Sequence, residues 1–346
     1  MPLDLVVLAV AFLTILVGAE LFTNGIEWFG EKLGIAEGAV GSVLAAIGTA
    51  LPETTIPLIA ILFTGGAASH EVGIGAILGA PFMLATLAMF VMGVTVLAMA
   101  TRRTNGRRLD VQPDHVLHDV RTFVGAYALA IAVAFVPADL LWPRYVVAAA
   151  LVAIYVRYVV GHLTAEREAE LAELAPLRMR RLGPDGHPPL WIVVVQIVLA
   201  IGAIILGATL FVGAIERLTA SLGLDVTLLA LIVAPIATEL PEAVNGILWS
   251  RRGKDGLALG NITGAMVFQA TVPTVIGLVF ASSHWVVTGP TAVAFASAGI
   301  AFASVIVICV PLLRGRALSG TGLLVGGGFY VAYVAVVGLD LAGRLG

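Results

Sequence analysis

Long apolar runs alternate with short polar connections along the chain. Ten of the runs are about 20 or more residues long, which is the length that an α-helix needs to cross a lipid bilayer. They lie near residues 3–29, 37–64, 70–100, 120–137, 144–162, 189–216, 225–249, 256–281, 288–312 and 318–342. The pattern predicts an all-α polytopic membrane protein with ten transmembrane helices.

Composition agrees with this prediction and excludes a soluble domain. Hydrophobic residues make up 60% of the chain and charged residues 12%, and the mean hydropathy is +1.04. The single cysteine, Cys309, lies inside an apolar run, so we expect a small buried residue and neither a disulfide framework nor a cysteine metal site. No basic segment precedes the first apolar run, which we therefore expect to be a retained helix.

The basic residues lie mostly on one predicted side of the membrane. With ten helices, three arginines fall on one side, Arg144, Arg217 and Arg344, and the other sixteen basic residues fall on the opposite side. Cytoplasmic loops of membrane proteins are enriched in lysine and arginine. We therefore expect a multi-pass protein of the cell (inner) membrane with both termini outside the cytoplasm. The five tryptophans lie near predicted helix ends, as in an aromatic belt.

The chain contains an internal repeat. The stretch Thr49-Ala50-Leu51-Pro52-Glu53 returns 189 residues later (242 minus 53) as Thr238-Glu239-Leu240-Pro241-Glu242. Five helices per half is an odd number, so the second half enters the membrane in the opposite direction. Residues 1–163 are the predicted first repeat, 164–188 a cytoplasmic loop and 189–346 the second repeat. Inverted repeats are typical of alternating-access transporters.

Each copy of the repeated motif places a glutamate and a proline inside an apolar segment. A carboxylate at the centre of a transmembrane helix costs roughly 2.5 to 3.5 kcal/mol on insertion scales, so it faces protein or water. Proline removes a backbone donor, and we expect breaks near residues 46–52 and near Pro235 and Pro241. Carboxylate, hydroxyl and freed carbonyl oxygens are ligands of hard cations. The candidate ligands in and around the two motifs are Glu53, Glu242, Thr49, Thr238, Glu239 and the carbonyl groups of Ala46 and Ala234.

These repeats resemble the alpha-repeats of the sodium/calcium exchanger family, within the calcium/cation antiporter superfamily. The family motif Gly-Thr-Ser-x-Pro-Glu corresponds to Gly48-Thr49-Ala50-Leu51-Pro52-Glu53 and Ala237-Thr238-Glu239-Leu240-Pro241-Glu242. The resemblance implies ten helices, two glutamates that bind a divalent cation, and threonine and carbonyl oxygens that are shared with Na⁺. Glu53, Glu242, Thr49 and Thr238 match that motif directly.

The sequence departs from the family pattern beside these glutamates. Ala50 and Glu239 replace its serines, and Leu84 and Gln269 replace its asparagine or aspartate on the third and eighth helices. The resemblance thus adds Gln269 to the candidate ligands, which then number eight. Gly-Ser-Asn is replaced by Gly79-Ala80-Pro81 and Gly264-Ala265-Met266. The polar groups of the flanking Na⁺ sites are thus largely missing from the third helix, while the extra carboxylate beside Glu242 suits a proton carrier.

The predicted function is secondary-active antiport of Ca²⁺ against Na⁺ by alternating access, with the first and sixth helices moving against the other eight. Antiport of Ca²⁺ or another divalent cation against H⁺ is the alternative, and a cation channel is a third hypothesis. No histidine or cysteine accompanies the glutamates, so the sequence does not indicate an enzyme. We expect no cofactor, with the cations as cargo, the bilayer as the main partner, no nucleic acid, and an oligomeric state left open.

Other polar residues have less specific roles. Glu20 either lines a cytoplasmic vestibule or is buried against a neighbouring helix, and Glu27, near a helix end, is expected to be solvated. A histidine and aspartate cluster precedes the fourth helix, and a solvated helix cap after Pro113 is favoured there over a regulatory metal site. The cluster comprises Asp110, Asp114, His115, His118 and Asp119.

Overall fold

The computed structural model of the chain describes residues 2–34, 50, 54, 57–58, 61–62, 67–163, 176–179, 188–222 and 239–345. Over these residues the regular structure is helical, and eight helices are long and apolar enough to cross a membrane. The chain is therefore a multi-pass, all-helical membrane protein, as predicted. Most of the runs 37–64 and 225–249 lies outside the described residues, so the count of ten helices and the inverted repeat stay predictions.

The described helices are numbered here in chain order. Their bounds are α1 Pro2–Leu33, α2 Ala67–Met83, α3 Met89–Ala98, α4 Pro113–Ala132, α5 Trp142–Leu163, α6 Leu190–Leu222, α7 Leu240–Arg251, α8 Asp255–Phe280, α9 Gly289–Leu313, α10 Gly320–Leu323 and α11 Val325–Leu345. A π-helical turn, Leu84–Ala88, joins α2 to α3, and these three segments cross the membrane as one span.

Helix α8 lies at the centre of the bundle. It packs against α2, α4, α5 and α7, and 78% of its apolar span is buried, compared with 28% for α1. A helix that is enclosed by others can carry polar side chains that lipid would not tolerate. Asn261, Thr263, Gln269 and Thr271 of α8 are accordingly all buried.

Helices α1 and α6 form an antiparallel pair along a seam of small residues. A Cβ atom at Gly18 would lie 2.9 Å from Ile204 Cγ1, and one at Gly207 would lie 2.8 Å from Ile15 Cγ1. Small residues let transmembrane helices approach closely and gain van der Waals contact, which drives helix association in lipid. The opposite faces of both helices carry exposed apolar side chains, including Val10 of α1. The pair therefore lies at the periphery of the bundle, with one face toward lipid.

Tryptophan positions agree only in part with the expected aromatic belt. Trp142 and Trp191 are exposed in the first turns of α5 and α6, as a belt requires. The other three, Trp28, Trp249 and Trp285, are buried, which the expectation had wrong. Burial is possible because an indole N–H can be satisfied inside the protein. Trp285, for example, donates to the carbonyl oxygen of Ala130 at 2.9 Å.

Arg144, which the sequence places on the outer side, is fully buried and ties two loops together. Its guanidinium donates to the carbonyl oxygens of Val136, Pro137, Leu140 and Trp285. A guanidinium has five N–H donors, so it can satisfy several unpaired carbonyl groups at once. Arg144 therefore links the connection between α4 and α5 to the residues that follow α8.

Candidate functional site

Three of the eight candidate ligands belong to the described residues. Glu239 and Glu242 lie at the start of α7, and Gln269 lies on α8, which packs against α7. The other five, Ala46, Thr49, Glu53, Ala234 and Thr238, lie outside the described residues. Their part in the site stays a prediction.

The start of α7 places two carboxylates close together inside the protein. Glu239 is the N-cap residue, Pro241 lies in the first turn, and Glu242 follows in that same turn. Proline fits the first turn of a helix because its missing N–H would have no partner there. The exposed fractions of Glu239 and Glu242 are 4% and 1%. The positive end of the helix dipole favours negative charge at this position.

Some of the buried oxygens near the start of α7 have no hydrogen-bond donor among the described residues. Neither carboxylate oxygen of Glu239 accepts a hydrogen bond within the described part of the chain, and the same is true of the side-chain oxygen of Gln269. Burying a carboxylate is costly unless a cation or a proton compensates its charge. The donor set is composed of oxygen atoms, as hard cations prefer. The start of α7 can therefore hold a cation or a proton.

The structure adds Asn245 to this region, a residue that the sequence analysis did not select. Asn245 follows Glu242 by three residues and is fully buried. Its side-chain oxygen accepts a hydrogen bond from Thr23 Oγ1 of α1 at 2.5 Å. Glu239, Glu242 and Asn245 are spaced by three, which indicates one polar helix face. That spacing is the signal that would have identified Asn245. The hydrogen bond from Thr23 shows that α1 contacts the polar face of α7.

The span formed by α2 and α3 is apolar where the family carries polar groups. Ala80, Pro81 and Leu84 are buried, and Pro81 lies inside α2, just before the π-helical turn. Carbonyl groups at this distortion accept hydrogen bonds from hydroxyl groups of other helices. Tyr127 of α4 donates to Leu78 O at 3.0 Å, for example. Between residues 79 and 88 this span has no carboxylate or carboxamide side chain.

Glu27 of α1 is buried, which makes the expectation of a solvated side chain wrong. Its side chain is 2% exposed, and Oε1 accepts a hydrogen bond from Trp249 Nε1 at 2.9 Å. Lys254 Nζ lies 3.2 Å from the same oxygen, and Arg252 Nη1 lies 3.7 Å from it. The carboxylate is tolerated because a lysine and an arginine from the turn after α7 reach it.

Glu20 lies two turns before Glu27 and is half-buried. Its Oε1 is 2.8 Å from Arg252 Nη2 and 2.6 Å from Arg178 Nη2. Arg252 thus bridges both carboxylates of α1. We call Glu20, Glu27, Arg178, Arg252 and Lys254 the α1 charge cluster. It joins one end of α1 to the turn between α7 and α8.

In the histidine and aspartate cluster, Asp110, Asp114 and His118 are exposed around the helix start at Pro113, as a solvated cap requires, whereas Asp119 is buried in a network of its own. Asp119 is 1% exposed and accepts hydrogen bonds from Tyr158 at 3.0 Å and from Thr263 at 2.6 Å, while His162 Nε2 lies 3.1 Å away. Among the described residues no group of three histidine, cysteine or acidic side chains has a geometry that could hold a metal ion. Asp119 therefore joins α4, α5 and α8, and α4 begins at Pro113, before the predicted start near residue 120.

The chain is similar to known membrane proteins over most of its length. The family model described as sodium/calcium exchanger protein matches residues 3–164 and 192–341. The inner membrane protein YrbG of Escherichia coli K12 is 27% identical over 293 residues, which are 80% of this chain and 79% of that protein. The membrane protein MJ0091 of Methanocaldococcus jannaschii is 22% identical over 269 residues, which are 76% and 77% of the two chains.

Solved structures have the same fold. The sodium-calcium exchanger NCX_Mj, soaked without Na⁺ and Ca²⁺, aligns with a TM-score of 0.73 over 96% of this chain and 98% of its own, at 14% identity. The family model covers nearly all of both halves of the chain. The chain therefore belongs to the sodium/calcium exchanger protein family.

Proposed function

We propose that the chain is a secondary-active antiporter that exchanges Ca²⁺ against Na⁺ at a site between Glu53 and Glu242. Thr49, Thr238, Glu239, Gln269 and the carbonyl groups of Ala46 and Ala234 complete or tune this site. Membership in the family supports cation antiport. The observation that carries the proposed site is the burial of Glu239 and Glu242 together at the start of α7, with no donor to the Glu239 oxygens among the described residues.

Each residue type has a distinct task in this proposal. Glu53 and Glu242 supply the negative charge that makes removal of the hydration shell of a divalent cation favourable. Hydroxyl and carbonyl oxygens complete the coordination without adding charge. When the cation leaves, the carboxylates are uncompensated, so the empty site favours the binding of counter-ions before the transporter changes its conformation. This dependence on a counter-ion distinguishes an antiporter from a channel.

The moving element in this proposal is the pair formed by α1 and α6. Its seam of small residues supports movement as one unit, while Thr23 and the α1 charge cluster connect it to α7. Alternating access in transporters with inverted repeats is largely a rigid-body movement of one group of helices against the other around a fixed site. The hydrogen bond from Thr23 to Asn245 can couple cation binding to the position of α1, because Asn245 lies on the same helix face as Glu242.

A second candidate is antiport of Ca²⁺ or another divalent cation against H⁺. It is favoured by Glu239, a buried carboxylate in a site whose α2–α3 side is apolar. A proton needs one carboxylate, whereas Na⁺ needs several oxygen ligands. The residues that distinguish the two counter-ions are therefore Glu239, Gln269 and Leu84.

Uptake of ⁴⁵Ca²⁺ by purified protein in liposomes tests both candidates under separately imposed Na⁺ and pH gradients. We expect uptake to follow the Na⁺ gradient and to be lost in Glu53→Gln and Glu242→Gln, while Asp139→Asn, which removes an exposed carboxylate from the connection between α4 and α5, retains it. Uptake that follows the pH gradient, ignores Na⁺ and is lost in Glu239→Gln would establish the second candidate. Unchanged uptake in Glu242→Gln would refute the site.

A further inference from the structure

Two loops from the two halves of the chain form one surface at an end of the helix bundle. Residues 99–112 connect α3 to α4, and residues 314–319 connect α9 to α10. Leu109 N donates to Leu318 O at 3.0 Å, Gly320 N donates to Arg107 O at 2.9 Å, and Arg108 pairs with Ser319 in an antiparallel bridge. The backbone hydrogen bonds fix the side chains of both loops relative to one another.

This surface carries a large excess of positive charge. Five of its arginines are exposed, and within the described part of the chain none of the five side chains forms an ion pair or a hydrogen bond; we call them the arginine platform. It comprises Arg102, Arg107, Arg108, Arg314 and Arg316. Asp110 is the one acidic residue in the two loops, so the five exposed arginines exceed it by four charges. Like charges at this density repel one another and favour an anionic partner.

The sixth arginine of the two loops has a structural role that the other five do not share. Arg103 forms a buried ion pair with Asp255 and donates to Ser250 O at 2.7 Å and to Gly106 O at 3.2 Å. Asp255 also accepts a hydrogen bond from the backbone N–H of Asp110 at 2.8 Å. Because the loop is folded around the guanidinium of Arg103, the neighbouring Arg107 is held on a rigid backbone.

A cavity of about 540 Å³ opens beside Arg107. Thr101 and Thr321 line it together with Leu97, Ala100 and Gly106, so two threonines share its wall with Arg107. The cavity lies between the end of the span Gly73–Ala98 and the start of the span Gly320–Leu339. That position corresponds to the level of lipid headgroups, where a transmembrane segment leaves the hydrocarbon region.

Apolar side chains continue from the platform into the membrane. Val94 of α3, Leu313 of α9 and Val325 of α11 are 44%, 61% and 40% exposed, and each belongs to a span that ends or begins at the two loops. A ligand that satisfies both the arginines and these side chains needs a phosphate and hydrocarbon chains. Guanidinium groups bind phosphate oxygens in a bidentate manner, and basic pockets between transmembrane helices are suited to lipid headgroups.

We propose that the arginine platform binds the phosphate group of an anionic phospholipid. The headgroup occupies the cavity beside Arg107, with Thr101 and Thr321 donating to phosphate oxygens, and the acyl chains lie along the exposed faces of the adjoining helices. By the distribution of basic residues this lipid belongs to the cytoplasmic leaflet. The proposal does not depend on which cations the protein exchanges.

Native mass spectrometry of the purified protein titrated with phosphatidylglycerol tests the proposal. The variant carries Arg107→Gln, Arg108→Gln and Arg316→Gln together. We expect the wild-type protein to retain phosphatidylglycerol in preference to phosphatidylcholine, and we expect its apparent affinity for phosphatidylglycerol to fall at least about tenfold in the variant, since each arginine near an anionic lipid contributes about 1 kcal/mol, or about fivefold. Arg251→Gln, which removes an exposed arginine from the last turn of α7, should bind as the wild type does.

Two results would overturn the proposal. One is an unchanged preference for phosphatidylglycerol in the triple variant. The other is a thermal stabilisation by inorganic phosphate equal to that by phosphatidylglycerol at the same concentration, which would indicate a site for free phosphate. The three side chains have no partner among the residues that the structure describes, so the variant should fold, which size-exclusion chromatography checks. If it does not fold, the single variant Arg107→Gln must itself weaken phosphatidylglycerol binding severalfold for the proposal to stand.

Discussion

Replacing Glu27 with glutamine should loosen the attachment of α1 to the turn between α7 and α8. The carboxylate is almost fully buried between Trp249 and two cationic side chains, Arg252 and Lys254. Glutamine retains an oxygen that can accept the indole hydrogen bond, so the variant loses mainly the charge attraction. Its volume is nearly the same, and no cavity is created.

The expected magnitude follows from the burial of the partners. Breaking a fully buried ion pair costs about 3 to 5 kcal/mol, but Lys254 and Arg252 are 17% and 27% exposed, which reduces the loss. A hydrogen bond to a charged group contributes about 1.5 to 3 kcal/mol. We therefore expect a loss of about 1 to 3 kcal/mol in the free energy that holds this end of α1, which corresponds to a roughly 5- to 150-fold rise in local opening.

Hydrogen–deuterium exchange of the peptide that contains residues 249–254 measures this opening. Glu20→Gln is the matched control, because Glu20 is 28% exposed and an exposed ion pair contributes about 0 to 1 kcal/mol. Exchange should accelerate strongly in Glu27→Gln and by less than about fivefold in Glu20→Gln. Equal acceleration in the two variants, or none in Glu27→Gln, would refute the assignment of Glu27 as the buried anchor.

Three further changes test the packing of the bundle, each by the midpoint of thermal unfolding in detergent. Asp119→Ala removes the acceptor shared by three side chains and should lower the free energy of unfolding by about 3 kcal/mol. Asp119→Asn keeps an acceptor and should recover part of this loss. Equal midpoints for the two variants would contradict the buried network. Arg144→Met leaves four carbonyl groups without their donor and should lower the free energy of unfolding by about 2 kcal/mol or more. An unchanged midpoint would show that water satisfies these carbonyl groups. Gly326→Ala places a Cβ atom 2.4 Å from Thr86 O and should lower the free energy of unfolding by about 1 to 3 kcal/mol. Gly328→Ala is the control, because a Cβ atom there has no atom within 4 Å, and it should be neutral. Equal effects of the two substitutions would contradict the close helix contact.

The transmembrane spans were predictable because their signal is local. A run of about 20 apolar residues has few alternatives to a helix in lipid, and the spans of α3, α5 and α8 end within a few residues of the predicted positions. The buried position of the two glutamates of α7 was predictable for a similar reason. A glutamate beside a proline in an apolar run is locally conspicuous, so Glu239 and Glu242 required no knowledge of the fold.

The buried polar contacts were not predictable, because they depend on residues that are distant in the sequence. Glu27 looked solvated because it lies near a helix end, yet Trp249 and Lys254 cover it from the other half of the chain. Asp119 likewise looked like part of a helix cap until Thr263 and His162 were seen to enclose it. Hydropathy along the chain cannot distinguish a polar residue in solvent from one that another helix satisfies.

The separation between Glu27 and Trp249 has a consequence for synthesis of the protein. The two residues are 222 positions apart. At about 5 to 20 residues per second, the ribosome needs roughly 10 to 40 s to supply the partners of Glu27 after α1 has emerged. Throughout that time the carboxylate has water as its main partner, so the nascent helix is expected to keep this end at the membrane surface. Final docking of α1 then becomes a late step in biogenesis, and truncated chains that end before residue 249 should be substrates for membrane proteases.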